Sequence, residues 1–377
     1  MTVEKEIKQG HEQIAFIHIL RGVAILLVVW SHFSGWWLQT SERSSVAQDF
    51  WQKWVVAPFH IYQNGGHLAV ILFFLVSGYI ITFTSLKETR IEFFVKRILR
   101  IFPILIVGSL IAWGIAKYGA PRDYLLIGEG DASVKRWVSS MFLLDGFRTP
   151  QRMVSVTWTL FIEMAFYTFT FILLYLSKKK VLLSTWLMLG IYVLTYLLMT
   201  KVEYFAQSPN SAAISYTAFL IIGRAIYLWN KKLVNNLDSF LIAFTALFIF
   251  FLFAEEGSTE FLFRPGGWAG AEPFVTYIGG ILIFLVCLRW SPKKVFKPLA
   301  FIADISYSLY ILHVPVGMLV LNYMTKQNYP YSLHFIIAVV ATIAISYITY
   351  HLIELPARNT GRKFLKYLKT RSINNNT

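Results

Sequence analysis

The sequence predicts an all-α, polytopic integral membrane helix bundle of about ten transmembrane helices, with both termini cytoplasmic. Three observations carry this. Hydrophobic residues make up 56% of the 377-residue chain, and they arrive in blocks of about 20, the length that crosses a bilayer as a helix. Only 15% of the residues are charged and mean hydropathy is +0.56, whereas about a quarter of a soluble domain is charged. The basic residues cluster at the ends of the apolar blocks. A strand-built barrel would instead alternate apolar and polar residues, and these blocks do not.

In chain order, the predicted spans are 14–36, 66–86, 101–117, 155–176, 181–199, 213–229, 237–254, 272–289, 301–322 and 333–353. Several are shorter than an ideal crossing, so tilt or local bilayer thinning has to accommodate them. The segment "VKRWVSSMFLL" (134–144) reads as an interfacial or partly inserted helix. The chain thus divides into a cytoplasmic N-terminal segment (1–13), a membrane domain (14–358) and a basic cytoplasmic tail (359–377) ending in a frayed "SINNNT".

Charge sets the orientation. With the N-terminus inside, the inner segments hold 22 of the 35 Lys and Arg, the outer segments 10 and the spans three, which agrees with the positive-inside rule for every connection except the longer, mixed stretch 118–152. The net charge of +15 therefore reads as topology and contact with anionic lipid, not as nucleic-acid binding. Cys287 is the single cysteine, which excludes an internal disulfide and leaves a structural thiol in a packed helix. The first apolar block is long and leads into further spans, so it is expected to be retained and not cleaved as a signal peptide. The two largest outer connections, 37–65 and 118–154, are too short to be separate catalytic domains but long enough to fold over the bundle. Aromatics such as "SGWW" (34–37) and "WQKW" (51–54) near span ends read as interfacial anchors.

Ionisable residues inside spans are functional candidates, because burying them in hydrocarbon is costly. Arg21 and His32 share the first span. Eleven residues at 100° each return them to nearly one helix face, about 16 Å apart along the axis. Arg21 suits a phosphate, a carboxylate or a nearby Glu, and His32 suits general base work near neutral pH. The plainer alternative is a snorkelling arginine and an interfacial histidine. Arg97 and Arg100 are three residues apart in "FFVKRILRIFP"; they either grip phosphates as paired guanidinium forks or form a basic stop beside anionic lipid.

Glu163 stands in the otherwise apolar "WTLFIEMAFY", with Tyr167 one turn later. It pairs with Arg21, orients His32, holds a sugar hydroxyl, or forms a purely structural ion pair. Ser306, Tyr310 and His313 in "SYSLYILHVP" fall at helical spacing as one polar stripe, with His313 open to a structural interhelical role. Ser77 and Gly78 suit close helix packing. Arg224 is a further intramembrane charge, and Glu354 with Arg358 reads as an end-of-helix ion pair. P-loop, GxGxxG, HExxH, GxSxG and metal-spaced Cys/His patterns are lacking, so ATP hydrolysis, nicotinamide redox work and zinc hydrolysis lose support, and no metal is predicted.

The ordered set of these elements resembles the membrane-bound acyltransferase-3 family, O-acyltransferases of bacterial surface polysaccharides and antibiotics. Arg21 and His32 match its arginine–ten residues–histidine element. "AVILFFLVSGY" is similar to its second-span motif, Arg97 and Arg100 followed by Pro103 to its arginine pair, and "WTLFIEMAFY", "SYSLYILHVP" and "ELPAR" to its later elements. Ala69 and Ile71 stand where the family has glycine and aspartate, which keeps a packing role and removes a polar group at 71. The resemblance implies an acyl-CoA donor, most often acetyl-CoA, whose phosphates Arg97 and Arg100 hold while Arg21 guides it inward. It implies that His32 deprotonates the acceptor hydroxyl or carries the acyl group transiently. Glu163 supports His32 where the two meet, and Tyr167 or backbone amides stabilise the oxyanion.

The implied acceptor is an envelope or exported glycan or its lipid-linked precursor, and the implied location is the bacterial inner membrane. No extracytoplasmic hydrolase-like domain follows the last span, so separate polysaccharide-biosynthesis proteins are expected partners. From the residues alone two other classes stay open: a transporter or flippase using the buried charges as an alternating-access path, and a noncatalytic assembly protein.

Overall fold

In a computed structural model of the chain, the described residues are 3–118, 132–144, 152–202, 211–256, 272–290, 294–325 and 329–374, with side chains described from Ala15 onward. Among them every regular element is helical. α1 (Val3–Trp30) continues through a π-helical turn (Ser31–Trp36) to Thr40. There follow α2 (Gly66–Lys87), α3 (Arg90–Tyr118), α4 (Val134–Met141), α5 (Trp158–Ile172), α6 (Val181–Lys201), α7 (Thr217–Asn230), α8 (Asn236–Glu256), α9 (Glu272–Arg289) and α10 (Lys297–Asp304). A further π turn lies at Gln52–Val56. α11 (Ser306–Leu312) passes through a π turn (His313–Gly317) and runs on to Thr325. α12 (Tyr331–Thr349) passes through another (Tyr350–Glu354) into α13 (Leu355–Asn374).

Among the described residues, eight helical segments are long and apolar enough to cross a membrane, and Pro273–Arg289 is a shorter apolar helix. The multi-span all-α architecture is therefore present. The expected spans at 213–229 and 272–289 are the short helices α7 and α9. For α7 the reason is burial: every residue from Ala218 to Leu228 is buried. A helix apolar all round that meets only protein is a central post and has no lipid thickness to match.

α7 packs hardest on α2. A methyl group at Gly78 would overlap the Leu220 carbonyl, and one at Gly223 would overlap the Leu75 carbonyl. The two backbones touch because both positions lack a side chain, the usual small-residue device of helix pairs in membranes. Arg224 sits beside this contact, fully buried. Its Nε donates to Thr185 Oγ1 (2.9 Å) and its Nη2 to Ser184 Oγ (2.8 Å) and Ser177 Oγ (3.3 Å). Ile71, at the family's aspartate position, is fully buried against Gly280 of α9, so packing is what that position supplies. Cys287 is a half-buried free thiol in α9.

Three boundaries differ from those read in the sequence. The third span, expected at 101–117, starts already at Arg90. Thr89 Oγ1 accepts from the Glu92 backbone N–H (3.3 Å), while Glu92 Oε2 accepts from the Thr89 N–H (2.8 Å). That reciprocal capping box starts the helix well before its apolar run. The ninth span, expected at 301–322, is broken at Ile305 between α10 and α11. The basic tail is helical as far as Asn374, which takes in the first three residues of the "SINNNT" expected to be frayed, with residues 375–377 outside the described set. It is held along α3 by Gly361 seated against Leu99, by buried Leu365 and by Lys369–Glu92 at 2.7 Å.

Of the long outer connections, most of 118–154 lies outside the described residues. Its helix α4 is amphipathic and stacks Trp137 on Trp113 of α3 at 5.4 Å. The connection 37–65 contains short helical turns over Val46–Phe59. It returns through His60, Gln63 and Asn64 at φ 47°, 47° and 58° and Gly65 at φ 94°. Left-handed backbone at three non-glycine residues is costly and persists only where packing imposes it. Here the loop seats on the first π turn, where Ser31 Oγ donates to the Gln63 carbonyl (3.0 Å).

Candidate active site

α1 and α11 are tied together at two levels. At one, Arg21 Nη2 donates to Ser306 Oγ (2.7 Å). At the other, His32 Nδ1 and His313 Nε2 are 2.8 Å apart, with the two rings stacked at 5.0 Å between centroids. Both histidines lie in π-helical turns. Such turns shift the helix face by a residue and recur at functional sites. Gly317 in the second turn admits the Phe33 ring, which a methyl group there would strike.

The hydrogen bonds fix the protons. His313 Nδ1 lies 2.7 Å from the Tyr310 carbonyl and 3.2 Å from the Leu309 carbonyl. A carbonyl only accepts, so Nδ1 carries the hydrogen and Nε2 is left with a lone pair. That lone pair accepts from His32 Nδ1–H, which leaves the lone pair of His32 on Nε2. His32 is thus held as the tautomer whose outer nitrogen is a base.

A narrow cavity of about 60 Å³ opens between α1, α2, α3, α5 and α11 on the Arg21 side of the dyad. Of the residues singled out in the sequence, Arg21, Ser77, Arg100, Glu163, Tyr167, Ser306 and Tyr310 line it. Tyr310 connects cavity to dyad, its ring 5.8 Å from that of His313 and its hydroxyl bonded to Thr159 (2.8 Å). Glu163 accepts from Ser77 Oγ (2.8 Å) and from the Tyr167 hydroxyl. Its described partners are these hydroxyls, and His32 is not among them; Tyr167 in turn is committed to Glu163. Arg100 has Glu163 and Tyr167 within electrostatic reach. It forms no hydrogen bond or ion pair among the described residues, so its five donors are available to a ligand.

Arg97 does not join Arg100 in the cavity. Its guanidinium is buried, bonded to Glu88 and Thr84 and stacked over Phe93 at 4.2 Å. Glu354 is likewise buried, accepting from Ser308 (2.8 Å) with Arg358 at 3.7 Å.

One residue near the site escaped the sequence reading. His67, buried at the start of α2, has Nε2 2.8 Å from Gln63 Oε1 and Nδ1 2.5 Å from the Tyr216 hydroxyl. The amide oxygen takes Nε2–H, so Tyr216 donates to Nδ1 and itself accepts from Tyr277 (3.1 Å). The signal was present, an ionisable residue at the start of a span. It was overshadowed by the charges deeper in the spans.

A family model described as an acyltransferase domain matches residues 14–351. Among curated proteins the chain is similar to a putative peptidoglycan O-acetyltransferase YrhL of Bacillus subtilis (strain 168), 28% identical over 360 residues, 81% of this chain and 53% of that protein. It is also similar to O-acetyltransferase OatA of Staphylococcus aureus (strain NCTC 8325 / PS 47), 25% identical over 342 residues, 81% and 55% of the two chains. Peptidoglycan O-acetyltransferase OatA of Listeria monocytogenes serovar 1/2a (strain ATCC BAA-679 / EGD-e) is 26% identical over 354 residues, 83% and 55%. The chain spans about half the length of these relatives. No solved structure matches it.

Proposed function

The chain belongs to the acyltransferase family whose model it matches over residues 14–351, and from that membership we propose that it moves an acyl group, acetyl foremost, from a cytoplasmic acyl-CoA to a hydroxyl of a cell-wall glycan or its lipid-linked precursor. The setting is the bacterial inner membrane with both chain termini inside, as the charge bias favours. The similar peptidoglycan O-acetyltransferases support the acceptor class.

The single observation that carries the chemistry is the His32–His313 hydrogen bond at 2.8 Å with His313 Nδ1 anchored on the Tyr310 carbonyl. It presents His32 Nε2 as a general base. The acceptor O–H loses its proton to His32 Nε2 as its oxygen attacks the thioester carbonyl carbon. The C–S bond then breaks, the thiolate takes the proton back, and the products are an O-acyl ester and free CoA thiol. His313 acts on His32 and not on the substrate.

The cavity sits on the donor side in this reading. At about 60 Å³ it is far below the several hundred Å³ of a whole-ligand pocket, so it accepts the thin acyl-thioester end and leaves the nucleotide outside. Arg100, uncommitted in the resting site, is the lining cation free to meet an incoming anionic donor, while Arg21 is already held by Ser306. Glu163 balances that positive charge and fixes Tyr167. Arg97, already saturated by Glu88 and Thr84, supports the fold of this corner.

The test is transfer of a labelled acetyl group from acetyl-CoA to cell-wall glycan in membranes holding wild-type protein or His32→Ala at matched folded levels. Transfer by wild type and its loss in the variant is the expected result. Equal transfer by both overturns the role of His32. Glycan movement across the membrane without any CoA requirement would instead favour a transporter.

A further inference from the structure

A second cavity, of about 200 Å³, lies outside the active site, between α5 and α6 with α7 as its floor. α5 and α6 follow one another in the chain through the short helix Leu174–Lys179, and both lean on α7, leaving a cleft between them. Ile162 and Phe166 of α5, Met188 and Ile191 of α6 and Ile221 of α7 form its walls. From Phe161 to Phe169 it follows α5 for about 12 Å. Both polar groups on the α6 wall are already satisfied inside the protein: Tyr192 donates to the Ser215 carbonyl (2.8 Å) and Thr195 to the Ile191 carbonyl (2.8 Å).

We propose that this cleft is a lipid-chain site that holds one acyl chain of a bilayer phospholipid. An apolar cavity of this size stays dry and takes apolar ligands, because water gains too few hydrogen bonds inside it. Thr217 of α7 brings the one further hydroxyl among the lining residues, so the walls are predominantly apolar and an occupant needs little hydrogen-bonding capacity. The cleft reaches the outer surface of the bundle at Phe169, a lining residue that is 36% exposed. The chemistry of that surrounding phase is hydrocarbon chain, so the neighbour at the mouth and the lining inside match. A chain seated there braces the helix that carries Glu163 and Tyr167 on its cavity side. The site is independent of the acyl-transfer reading and its test reads lipid contact, not activity.

The experiment reconstitutes the full chain in bilayers doped with a phospholipid bearing a photoreactive acyl chain, and maps the adducts by peptide mass spectrometry. Label should concentrate several-fold on 161–169 and 188–195 relative to the exposed face of α8 that carries Phe240, Phe244 and Phe248. Ala165→Trp fills the cleft from α5 and should abolish that excess while α8 labelling persists. Ile191→Trp does the same from α6, in case the first variant does not fold. Equal labelling of cleft and α8 in wild type overturns the proposal, as does an excess that survives in both filled, folded variants. Displacement of the label by polyprenyl phosphate but not by unlabelled phospholipid also overturns it, in favour of an isoprenoid occupant.

Discussion

Replacing His313 by phenylalanine separates a positioning histidine from a catalytic one. The substitution keeps a planar ring of similar size in a fully buried position and removes the acceptor that holds His32 Nδ1–H at 2.8 Å. A neutral hydrogen bond contributes about 1 kcal/mol net, so the ratio of the base-competent to the other tautomer of His32 should fall by roughly five-fold, and its population by no more than that. Removing the base itself, in His32→Ala, should cost about 10²–10⁴-fold. The assay is steady-state acetyl transfer at matched folded levels, with kcat and the KM for acetyl-CoA read separately. His313→Phe is expected to lower kcat by the small factor and leave the donor KM unchanged. His313→Gln, whose amide oxygen still accepts from Nδ1–H, should recover part of the loss. The double variant should be no worse than His32→Ala, because residues acting through one group are not additive. A His313→Phe loss as deep as that of His32→Ala would refute this reasoning and make His313 itself the base or acyl carrier.

Other outcomes divide the arginines and the packing. Arg100→Ala should raise the KM for acetyl-CoA while thermal stability holds, since its guanidinium has no hydrogen bond or ion pair to lose among the described residues; a fall in melting temperature with unchanged KM would contradict it. Arg97→Ala should do the reverse, measured by thermal unfolding in detergent; because Glu88 keeps Lys96 at 2.9 Å, the loss should fall short of the roughly 3–5 kcal/mol of a buried charge left with no partner. Gly223→Ala should abolish folded yield, judged by size-exclusion profile, as its methyl group meets backbone and not a movable side chain. Arg224→Met should fold and match or exceed wild type in thermal stability. Its guanidinium lacks a carboxylate partner among the described residues, one of its nitrogens is buried without any partner, and Ser177, Ser184 and Thr185 retain bonds to one another or to backbone.

Where the sequence reading of the site stopped short, the cause is geometric. The 100° rule put Arg21 and His32 on one face of α1, and the 306/310/313 spacing made a stripe on α11. Neither spacing carries any information on which helix faces which, so the Arg21–Ser306 and His32–His313 ties were not legible. The arginine pair shows the same limit: Arg97 and Arg100 are alike in sequence, yet one faces Glu88 and Thr84 and the other the cavity. Helix starts were blurred for a different reason, since apolar runs mark only the lipid-facing length and miss a capping box such as Thr89/Glu92. The π turns at 31–36, 313–317 and 350–354 add a residue per turn without a compositional mark, apart from Pro315 within the second.

By itself the sequence determined the all-α membrane class, the approximate spans and every charged residue that lines the cavity, Arg21, Arg100 and Glu163. These follow from transfer free energies: apolar blocks must be in lipid, and charges within them must turn inward. Only the tertiary structure decided which charges are spent on the fold and which are free to act. That choice depends on distances of about 3 Å between side chains nearly three hundred residues apart, set by how ten-odd helices share one packed interior.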